Sequence, residues 1–302
     1  MFYIFAYKTT IIYLVIKYIF KIEEEKNVMK EYNPEVKIII ATHKKYRMPD
    51  DSMYLPLHVG AEGKKDENGN PLDLGYEKDN TGDNISLKNP NYCELTGLYW
   101  AWKNLEVDFI GLAHYRRHFG RKGREPFEGI LTYKQLKPLL SKYKVFVPTK
   151  RRYYIETLYS HYKHTHYAEQ LDLTRKIISE KYPDYIESYD EVIKHTYGYM
   201  FNMCIMQKKY FDAYCRWLFD ILFELEQRIG TLELSDFQGR FYGRVSEIIF
   251  NVWLSRQIKS GILKRSEIKE LSYKHIEKIN WYKKGTAFLR AKFFNRKYEG
   301  SF

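Results

Sequence analysis

The sequence predicts an α/β fold built on an open sheet, and three observations carry that prediction. Residues 37–41 (KIIIA) and 108–113 (DFIGLA) are apolar runs too short for helices, so they read as buried strands. Both stop abruptly in polar groups, the first in Thr42, His43 and Lys44, the second in His114, Tyr115, Arg116 and Arg117. Between and after them lie longer stretches of helical periodicity. Open α/β sheets bind ligands at the C-terminal ends of their strands, so the polar clusters mark a candidate site. Residues 82–119 hold its parts in order: a polar turn, an aromatic-rich helix and a strand ending in cations.

Taken in order, residues 1–28 form an apolar extension broken by Lys8 and Lys17. A lysine near mid-bilayer costs roughly 2.5–3.5 kcal/mol, which disfavours a plain transmembrane helix. No small-residue cleavage site of the signal-peptide kind follows. The extension is either an interfacial anchor or a start assigned too early, since Met29 opens a compact domain at MKEYNPEVKIIIATHK. Residues 54–83 are rich in Gly, Asn and Asp and read as a long loop, more often a binding segment than a spacer. Leu95, Leu98, Trp102 and Leu105 recur at helical spacing and predict a helix over 91–105. Further helices are expected over 128–141, 171–181, 184–193, 210–229 and 240–256, and strands over 144–147 and 199–207. Residues 268–276 alternate weakly. The domain is therefore expected over 29–260, with a basic aromatic tail over 261–302.

Composition narrows the function. The chain has 302 residues, 17% of them aromatic, which is enough to bury a substantial core. Its net charge of +12 points to anionic partners: nucleic acid, an acidic membrane surface or phosphorylated substrates. Cys93, Cys204 and Cys215 match neither a disulfide framework nor a metal-ligand spacing and read as buried small hydrophobes in a reducing cytosol. His161, His164 and His166 in HYKHTH lack a companion carboxylate or cysteine at metal-ligand spacing, so a basic aromatic surface or a solvated helix face is expected there. Lys284, Arg290, Lys292, Arg296 and Lys297 alternate with Phe288, Leu289, Phe293 and Phe294, a pattern suited to an anionic membrane surface.

Longer strings make a resemblance specific. The segments IIIATHKKYRMP, YLPLHVGA, TGDNISLKNPNYCELTGLYWAWKN, DFIGLAHYRRHF, FNMCIMQKKYFDAYCRWLFDILFELE and SEIIFNVWL span about residues 37–254. In them the chain resembles a bacterial family of capsular and exopolysaccharide biosynthesis proteins long catalogued as a domain of unknown function and thought to be glycosyltransferases. The resemblance implies a GT-A-like (Rossmann-like) mixed, mostly parallel sheet flanked by helices, with a helical C-terminal part. It also implies transfer of a sugar, galactose or galactofuranose in the first instance, from a nucleotide sugar, a UDP-sugar first. The acceptor would be a lipid-linked oligosaccharide of capsule, exopolysaccharide or O-antigen synthesis, met at the inner face of the cell membrane. After Ser246 and Glu247 stands Ile248, where relatives are expected to carry an arginine, so no cation is carried over to that position.

Such a transferase must neutralise a leaving diphosphate and deprotonate an acceptor hydroxyl. Many GT-A enzymes hold a divalent metal on an Asp-x-Asp at a strand end, and this chain has His114-Tyr115-Arg116-Arg117 there instead. Guanidinium pairs with phosphate oxygens in a bidentate, charge-assisted way, so the arginines are expected to replace the metal, with manganese or magnesium left open. Strand alternation sends Arg116 and Arg117 to opposite faces, so one of them is expected to reach the ligand and surface ion pairs are the other reading. His43 and Lys44 are donor-side candidates, or a solvated loop pair. Asp83, beside Asp79 and Asn84, would bind ribose or a metal, or else close an Asx turn. Asn89 and Glu94 are expected to face the cleft from the helix start, with Asn89 as a cap the other reading. On the acceptor side stand Asn202, and Glu247 as general base with Asp236 in reserve; a first-turn glutamate complementing the helix dipole is the plainer reading of Glu247. The alternative function is a basic nucleic-acid-binding protein, against which stand the lack of a reader motif and the even spread of cations.

Overall fold

A computed structural model describes residues 17–18, 32–121, 123, 125, 127–230 and 233–277. The expected extension over 1–28 and the cation-aromatic pattern over 283–297 lie, but for residues 17–18, outside the described residues.

The sheet grows from β1 (Val36–Thr42), whose side chains alternate between two cores. Ile39 and Ala41 join a large core on one face, while Ile38 and Ile40 join a smaller one on the other. A strand buried on both faces has no polar side, which is why KIIIA shows no polar alternation. The further strands are β2 (Tyr54–His58), β3 (Glu77–Lys78), β4 (Phe109–His114), β5 (Arg117–Phe119), β6 (Val145–Pro148), β7 (Arg151–Arg152), β8 (Tyr197–Gly198), β9 (Cys204–Gln207), β10 (Ile268–Leu271) and β11 (Tyr273–His275). The main path runs β10-β6-β9-β4-β1-β2-β3. Strands β3, β2, β1 and β4 are mutually parallel, β9 is antiparallel to both β4 and β6, and β10 runs parallel to β6. Strand β5 folds back beside β4 and pairs with β11, while β7 and β8 form a separate two-stranded ribbon.

The helices are α1 (Asn89–Tyr92), α2 (Leu95–Asn104), α3 (Tyr133–Leu140), α4 (Leu158–Thr165), α5 (Ala168–Lys181), α6 (Ile186–Val192), α7 (Lys208–Ile229), α8 (Asp236–Gly239) and α9 (Phe241–Lys259). Residues of α2, α5, α7 and α9 cover the Ile39 face, and Leu136 and Leu140 of α3 the opposite one. Trp100 is buried, and Trp102 lies parallel to Phe219 at 6.0 Å, so both belong to packing.

Four expectations change. Residues 54–58, expected in a loop, form β2 in register with β1, Ala41 opposite Leu57. The helix expected over 91–105 breaks at Cys93, whose φ of 52° lies in the left-handed region; the Asn89 side-chain amide donates to the Cys93 carbonyl at 2.8 Å. The strand expected over 199–207 starts only at Cys204, because Phe201 and Asn202 both take positive φ. Residues 268–275, expected in the tail, are strands of the main sheet. No helix among the described residues is long and apolar enough to cross a membrane.

Candidate active site

Register brings the strand ends level. Thr42 pairs with His58 and Ala41 with His114, so the chain leaves β1, β2 and β4 at one height. A cleft of about 1050 Å³ opens over this edge, walled on the other side by α1, the start of α2, and α8 with α9. That volume reaches the upper end for small-molecule sites, so it accommodates more than a single sugar.

His43, His114, Arg116 and Arg117 all line it, so both arginines reach the cleft, where strand alternation had led us to expect one. The reason is the tight return of β5 onto β4, His114 opposite Arg117, which takes the chain out of simple strand alternation. The two arginines are not equivalent. Arg116 lies 3.6 Å from Glu277 in an ion pair. Arg117 sits 4.4 Å from the Phe201 ring and forms no ion pair among the described residues; the buried Nε of each arginine lacks a hydrogen-bond partner there. Burial, then Arg117 and Arg116, push the His114 imidazole down to about 3, so it is neutral. Its Nδ1 accepts weakly from the Arg116 N–H at 3.4 Å, which assigns the proton to Nε2 and makes it a donor.

Opposite stands Glu247, in the second turn of α9. Its carboxyl is half-buried and opens on the cleft. Desolvation first and the charge of Glu94 second raise it to about 7, against the pull of Arg117, Arg151 and Arg244. Helix α9 also brings Arg244 to the cleft, and Arg240, the residue that caps its start, lines it too. Arg244 donates from Nη2 to the Phe237 carbonyl at 2.7 Å and lies 4.1 Å from that ring, leaving Nη1 buried and unpartnered among the described residues. Sequence reading missed these two, although Arg240, Arg244 and Glu247 at four- and three-residue spacing share one helix face. The cation expected in relatives after Glu247 is here Ile248, which is buried in the core.

Glu94 enters the cleft because the break at Cys93 ends one helix and starts the next at that point. The Asn202 amide donates to Glu94 at 2.8 Å and to the Gly243 carbonyl at 3.0 Å, while its oxygen accepts from the Ser246 hydroxyl. Asn202 is thus absorbed in positioning Glu94 and is not among the residues lining the cleft. Asp236 and Asn89 do line it, Asn89 with its amide also committed to Cys93 and to Thr96 at 3.1 Å.

Lys44, Asp83 and Asn84 do not line the cleft. Lys44 is exposed, 5.2 Å from the Tyr46 ring. Asp83 lies against Asn104 at the far end of α2, a helix about 15 Å long whose other end holds Glu94. Asn84 closes an Asx turn by accepting from the Ser86 N–H at 3.1 Å. Asp79 is fully buried and takes four donors: the N–H groups of Gly60 and Ala61 at 2.8 and 3.0 Å, and the hydroxyls of Ser86 and Thr96 at 2.5 and 2.6 Å. It ties the loop after β2 to α2. Cys204 and Cys215 are buried as expected, while Cys93 lies at the cleft wall. His161 and His164 each approach Glu156 at 2.7 Å, a partner the sequence spacing did not suggest.

The residues do not suit a divalent ion at the strand ends. The groups there are a neutral imidazole and guanidiniums, the acids Glu94 and Glu247 stand on the opposite wall, Glu94 accepting from Asn202, and no cluster of three or more metal-ligating side chains occurs among the described residues.

Known proteins place this geometry. A solved structure described as the apo form of the bifunctional glycosyltransferase WbbM superposes with a TM-score of 0.72 at 29% identity. The match covers 81% of this chain and 46% of that one, so the chain spans about half of its structural relative. The likeness and the mixed, mostly parallel sheet flanked by helices make the fold GT-A-like. No protein with a curated description matches. Residues 37–258, most of the chain, match the family described as a domain of unknown function, DUF4422, and the chain belongs to that family.

Proposed function

We propose that the chain is a glycosyltransferase that moves a hexosyl unit from a nucleotide sugar to a hydroxyl of a lipid-linked oligosaccharide during bacterial surface-polysaccharide assembly. The observation that carries the reading is one cleft with two unlike walls. Arg117 and neutral His114 stand at the strand ends, and a carboxyl held near neutrality stands across from them.

In this reading Arg117 and Arg116 take the diphosphate and the Nε2–H of His114 donates to one of its oxygens. Glu247 accepts the proton of the acceptor hydroxyl. The new bond forms from that oxygen to the anomeric carbon, the bond from that carbon to the phosphate oxygen breaks, and its electron pair leaves with the diphosphate. A base titrating at about 7 is half ionised at neutral pH, near the optimum for proton transfer at the operating pH. A UDP-sugar carrying galactose or galactofuranose is the first donor to test. The likeness to a protein described as a glycosyltransferase supports the class of reaction.

The experiment is a calorimetric and thermal-shift screen of UDP-, GDP- and dTDP-sugars against the full chain, with and without chelator. One nucleotide class should bind and be slowly hydrolysed, and chelator should leave both intact. Complete loss in chelator, reversed by manganese, would refute the arginine site. Salt-sensitive binding of single-stranded RNA with no response to any sugar nucleotide would overturn the enzyme.

A further inference from the structure

The ribbon of β7 and β8 stands outside the main sheet, and the turn that follows β7 is built unlike any other among the described residues. Its residues read Lys150, Arg151, Arg152, Tyr153, Tyr154, Ile155. Tyr154 and Ile155 are 81% and 72% exposed, two large apolar side chains side by side. The Ile155 N–H donates to the Tyr153 carbonyl at 2.7 Å across a Tyr154 whose φ is 60°. That is a γ-turn with a positive central φ, the rarer and more strained of its two forms. An aromatic residue in this backbone is held against its own preference, and holding it there turns the ring outward rather than into either core.

The base of the turn is firm. The Tyr153 N–H donates to the Thr196 carbonyl at 2.7 Å and the Leu158 N–H to the His195 carbonyl at 2.8 Å. Around the base the cations sit over aromatic rings: Lys150 4.7 Å from Tyr197, Arg151 4.7 Å from Tyr153, and Arg152 5.6 Å from Tyr197. The next acid along the chain, Glu156, is buried against His161 and His164 and does not offset them at the surface. Glu270, 4.0 Å from Lys150, is the one carboxylate beside the three cations among the described ion pairs. An apolar tip collared by cations and tyrosines matches the boundary between anionic headgroups and acyl chains.

The ribbon is also tied to the catalytic wall. Asn251 bonds both the N–H and the carbonyl of Tyr199, next to β8, at 2.8 and 2.9 Å, and donates to the Glu247 carbonyl at 2.8 Å. Arg151 lies close enough to Glu247 to lower its pKa. We propose that the turn at Tyr154 and Ile155 inserts into an anionic lipid surface and so presents the Glu247 side of the cleft to acceptors anchored in it. The purpose of such docking rests on the transferase reading; the docking itself does not.

The test is co-sedimentation of the full chain with vesicles of phosphatidylcholine, alone or mixed with phosphatidylglycerol, with no sugar nucleotide present. The chain should sediment with the anionic vesicles and be released by high salt. In Tyr154→Asp with Ile155→Asp the bound fraction should fall about ten-fold. Aspartate tolerates positive φ better than tyrosine, so the melting temperature should not fall. Binding of UDP-sugar, measured without lipid, should not move, which separates this idea from the transferase reading. Failure of the wild type to sediment with anionic vesicles would overturn the proposal, as would equal binding by the double variant. Retained vesicle binding with loss of transfer to a water-soluble acceptor would make the tip a saccharide platform and also overturn it.

Discussion

Asp79 and Glu247 are acids set into the same molecule with opposite fates. Asp79 is fully buried, yet each carboxylate oxygen takes a backbone N–H and a hydroxyl, so its charge is spent inside the protein. Glu247 is desolvated as well, but no hydrogen bond to its carboxyl occurs among the described residues; the bond from Asn251 goes to its backbone carbonyl. A saturated carboxylate can only hold its donors together. An unsaturated one, poised near neutrality by burial and by Glu94, is free to take a proton from something else. The difference separates scaffold from chemistry more sharply than burial does.

The largest expected effect breaks the comparison on the Glu247 side. Glu247→Gln keeps the shape and removes the proposed base, so turnover should fall by about 10²–10⁴-fold. In the proposed reading the opposite wall sets the affinity for the sugar nucleotide, which should therefore hold. Steady-state kinetics beside calorimetry reads both, and unchanged turnover would remove Glu247 from the mechanism. On the other side, Asp79→Ala strands four donors and should cost about 3 kcal/mol in chemical denaturation. The fraction that remains folded should turn over normally; a selective loss of turnover with full stability would move Asp79 into the site. Between the two walls, Arg117→Ala should weaken donor binding by about 10–100-fold, the span of one lost charge-assisted contact. Arg116→Ala should cost less, because Glu277 already holds that guanidinium. Equal losses would mean that the ion pair opens when the donor binds.

What sequence could show followed from how locally each feature is encoded. Strands β1 and β4 were legible because a strand buried on both faces needs an unbroken apolar run, and KIIIA and FIGLA supply one. Strand β2 was not, because Pro56 inside YLPLH argues against a ladder and the Gly- and Asp-rich run after it reads as loop. Strands β10 and β11 hid in a weakly alternating stretch of polar residues, since their pairing comes from β6 and β5 far away in sequence. Among site residues, His114, Arg116, Arg117 and Glu247 stood out because strand ends and helix starts are local signals. Asp83 misled for the same reason: an Asp in a Gly-rich turn looks alike whether it faces a ligand or, as here, accepts from the Tyr99 hydroxyl at 3.1 Å. The roles of Glu94 and Asn202 depend on a contact between residues 108 apart in sequence.

That long-range contact gives the smallest and most discriminating test. Glu94→Gln keeps an oxygen to accept from Asn202 but removes the charge that helps raise Glu247. If Glu247 is the base, turnover in the wild type rises with pH through about 7, as the carboxyl loses its proton. In the variant the same rise should come at lower pH, since one of the two causes of the elevation is gone and the arginines remain. Stability carries the opposite sign. Between the ordinary value of 4.5 and about 7 the native state keeps a proton that the unfolded chain has lost, so stability declines as pH rises across that window. Glu94→Gln should shorten the decline and Glu247→Gln should abolish its share of it. A rate profile and a denaturation series over the same buffers measure both, and the two must move together. If the rate limb shifts while the stability slope stays, the titrating base is another group, and Asp236 at the rim of the cleft is the next to replace.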